Sequence, residues 1–138
     1  MMHRLTLIIL GVAICYAMVG CKSAAEHTDE RRQELLRIYP PGRTTREDVR
    51  KKWDEPLPHR PYPSYYAATR PAGGWESFDL PGVRERALNS ERRTGQPVAS
   101  LERYFGPDFH HFFGLNYAWY YYDVADKVVD VDWQFASD

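Results

Sequence analysis

Asn116-Tyr117-Ala118-Trp119-Tyr120-Tyr121-Tyr122-Asp123 and, after a short polar link, Val128-Val129-Asp130-Val131-Asp132-Trp133-Gln134-Phe135 decide the fold of this chain. β-Branched and aromatic residues fill both runs, as they do in strands. The second run alternates, with Val129, Val131, Trp133 and Phe135 on one side and Asp130, Asp132 and Gln134 on the other. That pattern predicts a half-buried antiparallel strand whose aspartates face water. The first run carries rings on both sides: Tyr117, Trp119 and Tyr121 on one, Tyr120 and Tyr122 with Ala118 on the other. Side chains alternate with period two, so the parity of the link decides which set joins Trp133. An even link, residues 124–127 with Asp123 facing Val128, turns Tyr120 and Tyr122 inward and leaves Tyr117, Trp119 and Tyr121 beside the aspartates; an odd link does the reverse. Either way, large aromatics stand on a nominally polar face, which a soluble monomer seldom leaves bare. Tyr117, Trp119, Tyr120, Tyr121 and Tyr122 are therefore the candidate partner-binding residues. The expected cover is the segment 56–74 or another protein.

Upstream, short helices are expected. In Thr44-Thr45-Arg46-Glu47-Asp48-Val49-Arg50-Lys51-Lys52-Trp53, a threonine N-cap is followed three residues on by a carboxylate, the capping-box pattern. Val49 and Trp53 share one face, the basic residues point outward, and Pro56 ends the segment. Residues 79–94 read as a further helix, with Pro81 in its first turn and Gly95 past its end. Its apolar face is Leu80, Val83, Ala87 and Leu88, and its arginines belong to a solvated surface. The stretch 97–107 repeats the scheme of residues 44–56: a capped start, Leu101 and Phe105 four apart, then Gly106-Pro107. It reads as another short helix, on the scheme a duplicated unit would leave. Near Thr28 or Asp29 a narrower stripe of Leu35, Leu36 and Tyr39 begins, stopped by Pro40-Pro41-Gly42. Residues 56–74, with five prolines and three tyrosines, should run extended over the surface. The expectation is an α+β domain in which short helices pack on one face of a small antiparallel sheet ending in the C-terminal hairpin.

Gly42-Arg43-Thr44-Thr45-Arg46-Glu47-Asp48-Val49, Trp53-Asp54-Glu55-Pro56 and the terminal hairpin resemble the signature of the SmpA/OmlA (BamE-like) lipoproteins. Asp54 stands where that family has Gly, and Asp is one of the residues that visit the left-handed region. The resemblance implies a non-catalytic role near outer-membrane assembly or maintenance.

The N-terminus fits such a protein. A basic start, Met1-Met2-His3-Arg4, leads into fifteen uncharged and mostly apolar residues, Leu5 to Val19. This is the layout of an export signal, and it is shorter than the roughly 20 apolar residues of a spanning helix. Met18-Val19-Gly20-Cys21 closes it and resembles a bacterial lipobox, with cleavage after Gly20 and a diacylglycerol on the Cys21 thiol. Two or more acyl chains give stable attachment where a single chain is marginal. By the same resemblance, Lys22 rather than Asp after the cysteine permits the outer membrane, facing the periplasm. The expected organisation is a signal at 1–20, a lipidated tether with a short helix at 21–41 and one α+β domain at 42–138.

Composition narrows the chemistry. Removing the signal takes away Cys15, and lipid consumes Cys21, so the remaining 118 residues offer no disulfide or free thiol. Their 17 basic and 19 acidic side chains lack the basic excess of a nucleic-acid binder. His110-His111 beside Asp108 is the nearest thing to a metal motif, but neighbours on an extended segment point apart. Asp130 and Asp132 share a strand face with nothing nearby in sequence to complete a metal or acid–base site. No phosphate loop, nucleophile elbow or dinucleotide fingerprint occurs. The expectation is no catalysis, metal or cofactor, but an envelope protein that docks to other proteins. A periplasmic binding or inhibitor module on the same scaffold is the alternative, and a small hydrolase ranks last.

Overall fold

The computed structural model describes residues 23–53, 65–105 and 115–136. The signal, Gly20, Cys21, His110 and His111 lie outside them, as do residues 54 and 55 and residues 56–64 of the proline-rich segment. Four strands, β1 (Tyr65–Thr69), β2 (Ser100–Phe105), β3 (Leu115–Tyr122) and β4 (Val128–Ala136), form one antiparallel sheet in the order β1-β2-β3-β4. Among the described residues three α-helices, α1 (Ala24–Ile38), α2 (Arg46–Trp53) and α3 (Pro81–Thr94), accompany it, with a 3₁₀ turn at Trp75–Ser77. The fold is α+β and ends in the β3–β4 hairpin.

Helices cover both faces of the sheet, not one. On the first face, Leu35 and Tyr39 of α1 and Val49 and Trp53 of α2 pack on Tyr104, Tyr120, Tyr122, Val131 and Trp133. On the second, Val83 and Ala87 of α3 join Trp75 and Val98 over Leu101, Trp119 and Tyr121. Trp75 is fully buried, and its indole N–H donates to the carbonyl of Val98 at 2.7 Å. Two apolar faces explain the rings on both sides of β3: each side has its own core.

The hairpin takes the even register, with Tyr121 opposite Asp130, Tyr120 opposite Val131 and Ala118 opposite Trp133. Tyr120 and Tyr122 accordingly lie with Trp133. A bulge between Tyr121 and Tyr122 then sets Tyr122 opposite Val128 and leaves Val129 as the extra residue. Val129 therefore packs with Tyr121 on the second face, and Val128 takes the place that alternation assigned to it. Asp123 closes the turn by accepting from the N–H groups of Ala125 (2.8 Å) and Lys127 (3.0 Å), and Asp126 adopts φ 58°.

Helix α1 starts earlier than the stripe suggested. Ser23 caps it: the Glu26 N–H donates to Ser23 Oγ at 3.2 Å, and the Ser23 N–H donates to Glu26 Oε2 at 2.6 Å. It is part of the domain, not of a tether, since Leu35 and Tyr39 are core residues. Gly42, at φ 75°, turns the chain so that its N–H reaches the Val128 carbonyl at 2.8 Å. Helix α2 has the expected reciprocal cap between Thr45 and Asp48. Backbone and side-chain donors of Thr45 on the Asp48 carboxylate hold its pKa below the usual range. Helix α3 has Pro81 at its start and Gly95 at φ 68° past its end, as expected, although Leu80 is exposed.

The stretch 97–107 is corrected from helix to strand over Ser100–Phe105, which also removes the duplication of residues 44–56. Residues four apart share a side in a strand as well as in a helix, so Leu101 and Phe105 did not discriminate. The pairing of β2 with both β1 and β3 decided it. Part of the segment 56–74 is likewise the edge strand β1.

Candidate docking surface and the ion networks around it

The charges that sequence reading placed in water are largely built into the fold. Asp130 is 1% exposed, not solvated. Its Oδ1 accepts from Arg32 Nη2 at 2.8 Å, and its Oδ2 accepts from Ser90 Oγ at 3.0 Å and Arg93 Nε at 2.9 Å. Asp132 pairs with Arg86 at 3.3 Å. The arginines 86 and 93 of α3 thus turn toward the sheet instead of outward.

A second network lies under α2. Glu102 is completely buried on β2, beside Tyr120 and Tyr104. Arg46 Nη1 (3.0 Å) and Arg50 Nε (3.1 Å) donate to its Oε1, while the hydroxyls of Tyr104 (2.8 Å) and Tyr122 (3.1 Å) donate to its Oε2. Arg46 also bonds Ser100 Oγ and Asp126, with its guanidinium 4.4 Å from the Tyr122 ring centre. Burial, with the Glu102 carboxylate next to it, raises the Tyr122 pKa far above that of a free tyrosine. Burial likewise raises those of Tyr120, Tyr121 and Tyr39. The charge on Glu102 is compensated by two arginines, and the network joins β2, β3 and α2.

The five candidate partner-binding residues separate by burial. Trp119, Tyr120, Tyr121 and Tyr122 are at most 3% exposed and belong to the two cores. Over the aspartate face α3 packs with Trp75 and Phe78, and Tyr66 and Ala68 from the segment 56–74 join the same cluster through β1. Tyr117 alone of the five is half-buried. It lies beside Arg103, whose guanidinium is 4.6 Å from the Tyr117 ring, 5.3 Å from Tyr66 and 5.4 Å from Trp119. Arg103 Nε is buried and has no hydrogen-bond partner among the described residues. Trp119 is tied down by its indole N–H, which donates to Gln134 Oε1 at 2.9 Å.

Next to this cluster runs β1, an edge strand that pairs only with β2 among the described strands. Ala67 and Thr69 on it, and Arg70 just past its end, are exposed. An open cleft of about 750 Å³ lies on the other side, between α3 and the end of β4, lined by Glu85, Arg86, Arg92, Arg93, Asp132 and Gln134 among others, with its arginines paired to carboxylates. Among the described residues no group of histidine, cysteine and carboxylate side chains could hold a metal. No described helix is long and apolar enough to cross a membrane.

Sequence reading did not single out Arg32, Glu102 or Arg103. The alternation Ser100, Glu102, Tyr104 against Leu101, Arg103, Phe105 was a usable signal, since it puts a carboxylate and a guanidinium on opposite faces of a strand. Comparison with known protein families, curated proteins and solved structures finds no match for this chain.

Proposed function

We propose that this chain is a non-catalytic lipoprotein of the bacterial cell envelope, held by lipid on Cys21, that acts by docking to other proteins. The observation that carries the reading is the lipobox-like Met18-Val19-Gly20-Cys21, closing an export-type signal directly ahead of the domain. The internal use of the charged groups agrees with a scaffold role: Glu102 and Asp130 are each saturated by arginine and hydroxyl donors. The surface best suited to a protein partner is the exposed edge of β1, where an extended segment can add as a fifth strand through main-chain hydrogen bonds. Resemblance of residues 42–56 and the hairpin to the SmpA/OmlA family supports an outer-membrane location facing the periplasm and a part in outer-membrane assembly or maintenance.

The arginine-lined cleft beside α3 favours a second reading, a binding or inhibitor module that takes an anionic group. The first reading is tested by Cys21→Ser. The variant is expected to leave the membrane fraction completely, since no described helix is long and apolar enough to cross a membrane in place of the lipid. Sedimentation of the variant with membranes after a salt wash would overturn the lipid assignment. For the edge, Ala67→Lys with Thr69→Lys changes two exposed positions and is expected to spare folding but abolish co-purification with the partner captured by wild type.

A further inference from the structure

Helix α3 carries a polar stripe beside its buried one. Gly82, Glu85, Arg86, Asn89, Arg92 and Arg93 recur every three or four positions, so they share one side of the helix. Asp132 and Gln134, two apart on β4, share the second face of the sheet and stand across from that stripe. Together these residues wall the open cleft of about 750 Å³, a volume in the range of ligand sites.

Hydrogen bonds within the cleft decide which groups stay unspent. The Trp119 indole N–H donates to Gln134 Oε1 at 2.9 Å, which fixes that amide with its Nε2 turned away from the ring. Arg92 Nη2 donates to Asn89 Oδ1 at 2.5 Å and fixes the second amide in the same sense, by its oxygen. Arg86 spends Nη1 on Asp132 at 3.3 Å, while its guanidinium lies 5.0 Å from the Trp119 ring centre. Stacking holds the plane of a guanidinium and leaves its edge donors for recognition. Arg86 Nε and Nη2, Asn89 Nδ2 and Gln134 Nε2 have no hydrogen bond among the described residues. None of them is among the buried unpaired atoms either, so these donors reach the solvent of the cleft. The acceptors beside them are occupied. Asp132 Oδ1 takes the Trp133 N–H at 3.0 Å, and Oδ2 takes Arg86 with Arg93 at 3.9 Å. Glu85 pairs with Arg92 at the rim, where both are more than half exposed. Beneath the cleft Arg32, Arg86 and Arg93 stand against Asp130 and Asp132, which leaves one positive charge in excess. Unspent donors and a surplus positive charge complement a group that only accepts, an ionised carboxylate.

We infer that this cleft seats an acidic side chain of a partner protein, with Arg86 as its charged contact and the amides of Asn89 and Gln134 as neutral donors. The cleft is open, so an internal stretch of a partner chain can cross it, which selects a side chain over a chain terminus. Such a seat rests on the second reading above, a module that takes an anionic group, and is independent of Cys21.

The test follows the nitrogen-15-labelled chain, purified from cells in neutral detergent, by nuclear magnetic resonance during addition of the blocked peptide acetyl-Ala-Glu-Ala-amide. The side-chain signals of Arg86 Nε, Asn89 Nδ2 and Gln134 Nε2 are expected to move and saturate, and the amide of Val124 on the distant turn to stay in place. The same peptide with Gln for Glu is expected to move none of them, and added salt to weaken the response to the Glu peptide. Arg86→Gln is expected to weaken binding about tenfold, the worth of one charge-assisted hydrogen bond. Asn89→Ala, at an exposed position, is expected to weaken it less and keeps the test decisive if the Arg86 variant misfolds. Equal responses to the Glu and Gln peptides would overturn the selection of a carboxylate. A response to inorganic phosphate or to acetyl-Ala-Ala-Ala with a free C-terminus, and none to the Glu peptide, would overturn the acidic side chain while leaving an anion site. Unchanged affinity in both variants would overturn the seat itself. Silence toward every probe would overturn this inference together with the second reading.

Discussion

Arg32 and Asp130 meet at the outer edge of the sheet: a guanidinium from the helix on one face binds, at 2.8 Å, a carboxylate that points to the other. Arg32 also donates to the Val131 carbonyl, so it satisfies part of the unpaired edge of β4. Arg93 and Ser90 of α3 hold the second carboxylate oxygen. One buried carboxylate therefore fastens helices on opposite sides of a four-stranded sheet, and α1, directly after Cys21, is locked to α3 through it.

Asp130→Asn leaves two arginines facing a neutral amide. Removing one partner of a buried ion pair costs about 3–5 kcal/mol, so the expected loss is roughly 3 kcal/mol because Arg93 still reaches solvent. Amide exchange is expected to quicken in α1 and α3 together. Acceleration confined to α3 would show that Arg32 contributes nothing to the clasp.

Glu102→Gln should be costly too, by about 3 kcal/mol or more, since it removes the buried charge that Arg46 and Arg50 share, leaves Arg46 only the exposed Asp126, and sets an amide between two tyrosine hydroxyls. The check is the urea midpoint at unchanged slope. A midpoint within error of wild type would mean that water replaces the carboxylate without loss.

A chain beginning at Pro40 removes Leu35 and Tyr39 from the first core and Arg32 from Asp130. Loss of a single buried leucine side chain already costs about 2–5 kcal/mol. The truncated chain is expected to lose its cooperative urea transition. A sharp transition with native near-ultraviolet dichroism would instead return α1 to the role of a tether.

Tyr39, Tyr120, Tyr121 and Tyr122 have pKa values raised by burial above the ordinary value of 10.0. The folded chain thus keeps protons that the unfolded chain gives up, and stability is full below about pH 10 and falls as pH rises beyond it. Tyrosinate absorbance is expected to appear in two phases, exposed rings first and these four only as the fold collapses. A single smooth titration with the fold intact would contradict their burial.

The hairpin and helices α2 and α3 were legible because each rests on local chemistry: alternation along β4, a threonine–carboxylate cap at Thr45 and Asp48, a proline start and a glycine stop for α3. Helix α1 was legible in outline only. Its stripe is narrow because it lies on the sheet near an edge, where Leu35 and Tyr39 suffice to bury it. The strand β2 was not legible as such, since Leu101 and Phe105 satisfy two periodicities at once and only pairing on both sides chooses between them. Of the five candidate docking rings, four proved to be core, because β3 is an interior strand with helices on both faces.

By itself, then, the sequence determined the α+β class, the hairpin, and the helix boundaries that caps define, while the pairing of the strands chose Tyr120 and Tyr122 as the rings that join Trp133. Only the tertiary structure decided the two-faced sheet, the bulge that carries Val129 across it, and the burial of Glu102 and Asp130. The reason is the range of the interactions. Caps and alternation act between residues a few positions apart, whereas Arg46 meets Glu102 across 56 positions and Arg32 meets Asp130 across 98. A charge read along the chain looks solvated until the fold supplies its partner.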